Sequence, residues 1–449
     1  MKTALTIAGS DSSGGAGIQA DLKTFAAYEV RGTSAATSIT SQNVSGVQET
    51  FDLPVEVVEA QIRAVLADTK KPLAVKTGML GNEALVECVA DQLKKSRIKK
   101  IVVDPVIRSS NRKTLLTRKG VEALKSKLLP LSLLVTPNLP EAEKLSGIRI
   151  AKPADRIKAA RAILETGAKC VLIKGGHARG NAADDFFFDG KQTYILESKR
   201  LTRRALHGTG CVLSAAIAAG LAQGLELLSA IRQAKAFIGK AITYGIQTGE
   251  DTVGVEPLAD LYRNREQWDL FRRVSAAIEV LKENQIGNLI PEVQSNMGVA
   301  LKGADGINEV IAFPGRILKK GSGIATLSPP EFGASTHVAH IVLTAMRFDP
   351  AKRAAMNIKY SPSILKTCQR LKFETAFFNR EDEPEPVRAK EGSSLEWGTE
   401  HAIRKYGGVP DIIYDLGGMG KEGMIRVMAN DVEDLTDKIL RIHRKSESL

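Results

Sequence analysis

Several things are scarce in this 449-residue chain. Aromatic residues make up 5% of it, and there are four cysteines, Cys88, Cys170, Cys211 and Cys368. None forms a CxxC pair, and their spacing suits neither a zinc site nor a disulfide framework. That usage fits a reducing compartment. No run of 18 apolar residues occurs, so no membrane-spanning helix is expected. The N-terminal apolar run breaks at Gly9, too early for a secretory signal, and reads as a first strand. These absences lead to the expectation of a cytoplasmic protein with no membrane partner. Internal repeats and low-complexity tracts are also missing.

What is present is ordinary for a globular protein: 43% hydrophobic and 25% charged residues, over a length suited to two or three domains. The net charge of +12 is uneven. Residues 1–250 hold 36 Lys and Arg against 23 Asp and Glu, and residues 251–449 hold 27 against 28. A basic half attracts nucleic acid, or nucleotide and phosphate substrates. The positive residues are scattered, and the short cluster Lys94-Lys95, Arg97 and Lys99-Lys100 reads as a solvated helix end. A nucleic-acid partner is therefore not expected.

Short apolar runs alternate with amphipathic segments through the first 250 residues. Strands are predicted at Leu5–Ala8, Ala35–Thr40, Ala74–Thr77, Lys100–Val103, Leu133–Thr136 and Cys170–Lys174. Helices are predicted at Val55–Ala67, Asn82–Lys95 and Ala154–Glu165. The alternation implies an α/β unit with a mostly parallel sheet and helices on both faces. Phe186–Phe188, Asp189-Gly190 and Gln192–Leu196 read as a hairpin, followed by a small-residue helix at Gly210–Ala222. Gly249, Gly254 and Pro257 mark a boundary, giving a first domain at 1–250, a linker at 251–266 and a second, mixed α/β domain at 267–449. Its first helix is expected at about Gln267–Glu283, His337–Met346 reads as a strand, and Glu381–Gly392 reads as an exposed loop.

Four polar motifs fall at predicted strand ends, where ligands of open α/β sheets gather. Gly9–Gly17 is either an anion-binding concavity of backbone amides or a tight strand-to-helix turn. Gly208-Thr209-Gly210-Cys211 opens the small-residue helix, where Cys211 is either a thiol of depressed pKa or a small buried residue. Lys174, beside Gly175-Gly176-His177, either reaches nucleotide phosphates or lies on the surface. Asp104 and Glu141 either hold Mg²⁺ or cap helices. Four such motifs at one edge of one sheet are hard to explain as caps together.

Leu5–Asp11, Ser13–Thr24, Lys76–Leu80, Thr136–Glu141, Lys174–His177 and His207–Cys211 together resemble the hydroxymethylpyrimidine/phosphomethylpyrimidine kinases over about residues 3–248. The resemblance implies a ribokinase-like fold and two successive phosphorylations by ATP. It implies that Gln42 hydrogen-bonds the aminopyrimidine and that Asp21, Met79 and Val106 line the same pocket. Cys211 would assist deprotonation of the hydroxyl in the first step, with Gly208, Thr209 and Gly210 supplying amides to the phosphoryl group. The family's lysine and glycine after Asp-Pro-Val are absent; Arg108, Arg112 and Lys113 stand there instead. Such kinases commonly form homodimers.

The second half is less informative read from its residues. Asp415–Gly423 is either a phosphate loop, with Gly417, Gly420 and Lys421, or a flexible hairpin turn, and a histidine at a strand start such as His337 is more often structural. Phe313–Ile317, Gly333–His337, Asn357–Tyr360 and Pro410–Glu422 resemble the archaeal-type thiamine-phosphate synthase domain over about 270–445. That resemblance implies joining of the pyrimidine diphosphate to a thiazole phosphate with release of pyrophosphate. Arg316 would clamp the pyrophosphate, His337 would give it a proton or hydrogen bond, and Mg²⁺ would neutralise it. Gly423 replaces an expected proline. Two other readings stand beside this one: a second half that senses ligands without catalysis, and a vitamin B6 kinase.

Overall fold

The computed structural model describes residues 1–43, 45–109, 113–177, 182–198, 200–202, 204–249, 252–385, 393–418 and 420–447. Arg112, Met419 and the part of the expected 381–392 loop beyond Glu385 lie outside the described residues. The chain divides into two compact units, Met1–Tyr262 and Arg263–Leu449.

The first unit runs β1 (Thr3–Asp11), α1 (Gly17–Ala27), β2 (Arg31–Asn43), β3 (Gly46–Asp52), α2 (Val55–Ala67), β4 (Ala74–Thr77), α3 (Glu83–Ser96) and β5 (Ile101–Val103). It continues with α4 (Arg118–Ala123), β6 (Leu134–Val135), α5 (Leu139–Ser146), α6 (Asp155–Leu164), β7 (Cys170–Ile173), β8 (Asp185–Phe188) and β9 (Thr193–Leu196). It closes with β10 (Ala205–His207), α7 (Thr209–Gln223), α8 (Leu227–Thr243), β11 (Ile246–Gln247) and β12 (Thr252–Gly254). Nine strands form one sheet in the order β3-β2-β1-β4-β5-β6-β7-β8-β9. The six from β2 to β7 are parallel, and β3, β8 and β9 add antiparallel edges.

The sheet is covered on both faces because its strands are apolar on both. Ile101 and Val103 of β5 face the helices α2, α3 and α6, whereas Val102 between them faces α1, α7 and α8. The same alternation holds for Val171 and Ile173 against Leu172, and for Phe186 and Phe188 against Phe187. The apolar helix α7 is buried all round, and Gly220 lets α8 come close: a Cβ there would meet Ala230 Cβ at 3.2 Å. The loops after β1, β4, β5, β6 and β7 all leave from one edge of this sheet.

The segment expected as a linker carries structure. Thr252–Gly254 forms a strand beside β10, and α9 (Ala259–Glu283) begins just after Pro257, eight residues earlier than expected. Proline two residues before a helix marks a start rather than a break.

The second unit holds β13 (Met297–Ala300), β14 (Val310–Ala312), β15 (Ile317–Lys320), β16 (Gly323–Thr326), β17 (Glu331–Phe332), α10 (Thr336–Phe348), β18 (Ala354–Lys359) and α11 (Pro362–Arg370). It ends with β19 (Thr375–Phe377), α12 (Ser393–Tyr406), β20 (Ile412–Asp415), β21 (Met424–Ala429) and α13 (Val432–Glu447). Seven strands pair in the order β17-β14-β13-β18-β21-β20-β19, antiparallel except for β19 with β20. α10 and α12 pack on one face, and α9, α11 and α13 on the other.

Residues 337–346 therefore lie on a helix, not on the expected strand. Val338, Ile341, Val342 and Ala345 are buried at helical spacing, so the 3.6 period overrides the strand preference of the β-branched residues. The described start of the 381–392 segment is a short 3-10 turn, Arg380–Asp382, followed by a buried Glu383.

Asp415, at the end of β20, is fully buried between Arg380 (Nε to Oδ1, 2.6 Å) and Arg426 (Nη1 to Oδ2, 2.9 Å). Burial opposes its charge, but the two guanidiniums outweigh that and hold its carboxyl below the usual range. Asp415→Asn leaves Arg426 buried without its counter-charge and should cost this unit about 3 kcal/mol. Both tryptophans, Trp268 and Trp397, lie in this unit, so urea unfolding followed by tryptophan fluorescence reads it alone. The loss should be full above the unfolded carboxyl pKa of about 4 and should shrink as pH falls through the lower folded value.

Candidate active site

The glycine-rich turn after β1 is organised by Asp11. Its carboxylate accepts the Ser13 N–H (2.9 Å), the Ser13 hydroxyl (2.8 Å) and the Ala16 N–H (2.7 Å). Gly17, with φ +59°, brings the turn so close that a Cβ would lie 2.4 Å from the Gly9 carbonyl. These amides point inward to Asp11, so the structure favours the tight-turn reading of Gly9–Gly17 over an open anion concavity. Burial opposes the Asp11 charge, but His207 and Ser13 outweigh it and bring the carboxyl down to about 2.

The same turn meets the N-terminus of α7 backbone to backbone. Gly208 sits at φ +89°, and a Cβ on it would be 1.9 Å from the Gly15 carbonyl oxygen. Below this contact lies a cavity of about 70 Å³, lined among others by Gln42, Lys76, Met79, Val106 and Cys211. The structure thus brings four of the five residues expected around the pyrimidine and its hydroxyl into one cavity. Asp21 is the exception. It does not line the cavity; it is fully buried, where it accepts from the Thr6 hydroxyl (2.6 Å) and from Lys76 Nζ (2.7 Å). Lys76, with no exposed surface, carries the influence of Asp21 to the cavity wall. Burial disfavours its charge, but Asp21 outweighs this and raises its pKa.

Cys211 does not have the depressed pKa expected at a helix N-terminus. Burial pushes its thiol up to about 11, with Asp21 and Asp104 adding to the rise and Lys76 opposing it. Removing water from the thiolate costs more than the helix end and one ammonium return.

A second, open cleft of about 720 Å³ adjoins the other side of the same helix end. Lys174, Thr209, Gly210, Arg200 and Lys235 are among its lining residues, which makes it basic. Lys174 Nζ donates to Asp104 Oδ1 (2.7 Å), and Thr136 Oγ1 donates to the same oxygen (3.2 Å). A Cβ on Gly210 would lie 3.2 Å from Lys174 Nζ and 3.4 Å from Asp104 Oδ2, so Gly210 leaves room between α7 and this pair. Cys211 faces the small cavity while Thr209 and Gly210 face the cleft. The first turn of α7 is where the two spaces meet.

Glu141 caps α5 in a capping box, its carboxylate accepting the Asn138 N–H at 2.8 Å. Burial and, more weakly, Asp104 raise its pKa to about 7, with Lys174 opposing. Among the described residues no group of three His, Cys, Asp or Glu could chelate a metal. Asp104 and Glu141 nonetheless offer hard oxygens whose mutual repulsion a cation relieves. Two protein carboxylates suit Mg²⁺, which takes its remaining ligands from water and phosphate.

Lys76, Asp11 and His207 were given no role by sequence reasoning. The legible signal for Lys76 was a lysine at the centre of the apolar strand Ala-Val-Lys-Thr, since lysine is almost never fully buried unless paired. Asp11 and His207 meet only in three dimensions, 196 residues apart, with His207 Nε2 3.0 Å from Asp11 Oδ2.

In the second unit, Arg316 lies in the turn after β14, exposed and at φ +73°, a left-handed conformation unusual for a non-glycine residue. Asn296 holds that turn, accepting from the Phe313 N–H (3.0 Å) and donating to its carbonyl (2.9 Å). Arg316 donates to the Val293 carbonyl, and the Val293 N–H donates to Glu422 (3.2 Å). Arg316 and the loop of Gly417, Gly420 and Lys421 are thereby tied through one turn. That loop joins β20 to β21 as a hairpin: Gly418 pairs with Lys421, and Gly417 N–H donates to Asp415. His337 is exposed in the first turn of α10. Its neighbour Val338 packs on Gly298, the register partner of Ala312 at the end of β14.

The Gly208 contact predicts a contrast between two substitutions. Gly208→Ala should cost about 1–3 kcal/mol from its left-handed backbone alone, before the clash with Gly15. Gly239→Ala, inside α8 with open space around its Cβ, should stabilise by about 0.5–1 kcal/mol. Calorimetric melting of the two variants measures both.

Comparison with known proteins agrees with this division of the chain. The phosphomethylpyrimidine kinase family matches residues 11–256, and the thiamine-phosphate synthase ThiN family matches residues 273–441. The bifunctional thiamine biosynthesis protein ThiDN of Methanocaldococcus jannaschii is 36% identical over 436 residues, covering 97% of each chain. A hydroxymethylpyrimidine/phosphomethylpyrimidine kinase of Rhizobium meliloti is 49% identical over 241 residues, 54% of this chain and 90% of its own. Among solved structures, the ADP complex of Bacillus subtilis pyridoxal kinase aligns with a TM-score of 0.54 at 38% identity, covering 58% of this chain and 99% of its own. Staphylococcus aureus pyridoxal kinase with AMP-PCP aligns with a TM-score of 0.54 at 37% identity, covering 58% and 94%. The chain belongs to the bifunctional thiamine-biosynthesis family, a ribokinase-like phosphomethylpyrimidine kinase unit followed by a thiamine-phosphate synthase unit.

Proposed function

We propose that the first unit phosphorylates 4-amino-5-hydroxymethyl-2-methylpyrimidine twice with ATP, and that the second joins the resulting diphosphate to hydroxyethylthiazole phosphate. The observation that carries the kinase reading is the meeting of a small cavity and a larger basic cleft at the first turn of α7. The pyrimidine occupies the cavity, with Gln42 on its polar edge and Met79 and Val106 against its ring. ATP occupies the cleft. The amides of Gly208 to Cys211 and the Lys174 ammonium receive the moving phosphoryl group. Mg²⁺, held by Asp104 and Glu141, would neutralise charge on the phosphates. Unpaired cysteines and a small-molecule pathway support a cytoplasmic location. The apolar register pair Ile39 and Phe51, both exposed on the β2–β3 edge, supports a homodimer. The two pyridoxal kinase structures favour pyridoxal as an additional substrate of the same pocket.

Cys211 is neutral at rest, so its thiolate is a minor form at pH 7. The hydroxyl of the first step needs a base, whereas the phosphate oxygen that attacks in the second is already ionised. The first step should therefore quicken with rising pH toward about 11 and the second should not. Cys211→Ala should slow the first step far more than the second. Parallel pH profiles, or equal loss of both rates, would contradict this role.

For the synthase, Arg316 clamps the departing pyrophosphate and His337 supplies a proton or hydrogen bond to it. The tie between the Arg316 turn and the glycine loop supports this reading. An Arg316→Ala/His337→Ala chain given ATP, Mg²⁺, aminopyrimidine and thiazole phosphate should accumulate pyrimidine diphosphate and make no thiamine phosphate. Wild-type protein that also stops at the diphosphate would instead mark the second unit as a sensor.

A further inference from the structure

We infer that His207, anchored by Asp11, is a positioning residue that fixes the Gln42 amide with its oxygen toward the imidazole and its NH₂ toward Thr40 and the cavity. This rests on the reading of that cavity as the pyrimidine pocket. His207 Nε2 lies 3.0 Å from Asp11 Oδ2 and also 3.0 Å from the Gln42 side-chain atom placed as Nε2, with the atom placed as Oε1 turned toward Thr40, and the proposal exchanges those two. One imidazole nitrogen carries either a hydrogen or a lone pair, never both. Asp11 is a carboxylate surrounded by donors and can only accept. His207 Nε2 must therefore carry a hydrogen, or two lone pairs would face each other at 3.0 Å.

That hydrogen settles the amide. With its nitrogen toward His207, Gln42 would set N–H against N–H. With its oxygen there, it shares the Nε2 hydrogen with Asp11. The two ends of an amide have the same shape, so its partners decide which is which. The opposite end of the amide gives an independent reason. It lies 3.5 Å from Thr40 Oγ1, whose single hydrogen is already donated to the Ser10 carbonyl at 2.9 Å. Thr40 can therefore only accept from Gln42, which again places the NH₂ on that side. Backbone contacts hold the frame: Ser12 Oγ donates to the Gln42 carbonyl and accepts the Gln42 N–H, both at 2.8 Å. The His207 ring itself rests on Gly15, where a Cβ would lie 2.6 Å from its Cδ2. The pocket then offers a donor to its ligand, which suits an unprotonated ring nitrogen.

The experiment measures the first phosphorylation in the full chain for His207→Leu, His207→Asn, Gln42→Ala and the double variant His207→Leu/Gln42→Ala. His207→Leu should raise the KM for the aminopyrimidine about tenfold, the loss of one well-placed hydrogen bond, with the KM for ATP within about twofold. Asn can still donate an N–H, so His207→Asn should recover most of the affinity and guards against a mere folding defect. If His207 acts through Gln42, the double variant should be no worse than Gln42→Ala. Additive losses in the double variant, equal damage from Leu and Asn, or a fall in kcat with KM unchanged would overturn the proposal. A Gln42→Ala chain with unchanged KM would instead overturn the pocket reading on which it stands.

Discussion

The kinase unit depends on one close approach, the Gly15 carbonyl against the Gly208 backbone. No side chain fits there, and the left-handed turn at Gly208 requires glycine in any case. The contact presses the turn after β1 onto the start of α7. From it follow the position of Cys211 on the wall of the small cavity, the packing of His207 over Gly15 and the meeting of cavity and cleft. Asp11 serves the same joint from below, drawing the turn's amides inward and binding His207 across the contact.

Charge is distributed around this joint in two ion pairs, one fully buried and one partly so. Lys76 with Asp21 sits beneath the small cavity, and Lys174 with Asp104 sits beside the cleft. Each ammonium is kept charged by its carboxylate despite burial. The positive charge nearest the joint is gathered in these pairs and in the lining of the cleft, so the scattered positive charge of the first half need not mean a polyanion partner. The second unit uses the same device: Asp415, between Arg380 and Arg426, anchors the glycine loop that reaches Arg316 through Glu422 and Val293.

Much of the fold was legible from residues because the first unit is locally consistent. Ala74–Thr77 and Val55–Ala67 have the limits the pattern predicts, and Asp189-Gly190 turns the hairpin as its composition suggests. Where reading failed, tertiary context had overridden a local signal. His337–Met346 looked like a strand because valine and isoleucine favour strands, but ten residues is long for one and the burial repeats at helical spacing. Cys211 stood open between an acidic thiol and a small buried residue, because burial is a property of the whole fold. The glycine turn stood open between an anion cradle and a tight turn, because nothing in its own sequence shows that Asp11 occupies its amides. Asp21 was expected at the pocket and lies one residue removed, behind Lys76. The joint of His207, Asp11 and Gln42 spans three distant segments and could not be read from any one of them.

In the proposed function, acceptor and donor substrates meet at the first turn of α7. A crystal structure of the full chain with a non-hydrolysable ATP analogue and the hydroxymethylpyrimidine tests it most directly. The account predicts the terminal phosphate against the Gly210 amide and Lys174. It places the hydroxymethyl oxygen beside Cys211, about 3–3.5 Å from the phosphorus it attacks. A pyrimidine bound outside the small cavity, or a terminal phosphate directed away from α7, would contradict it.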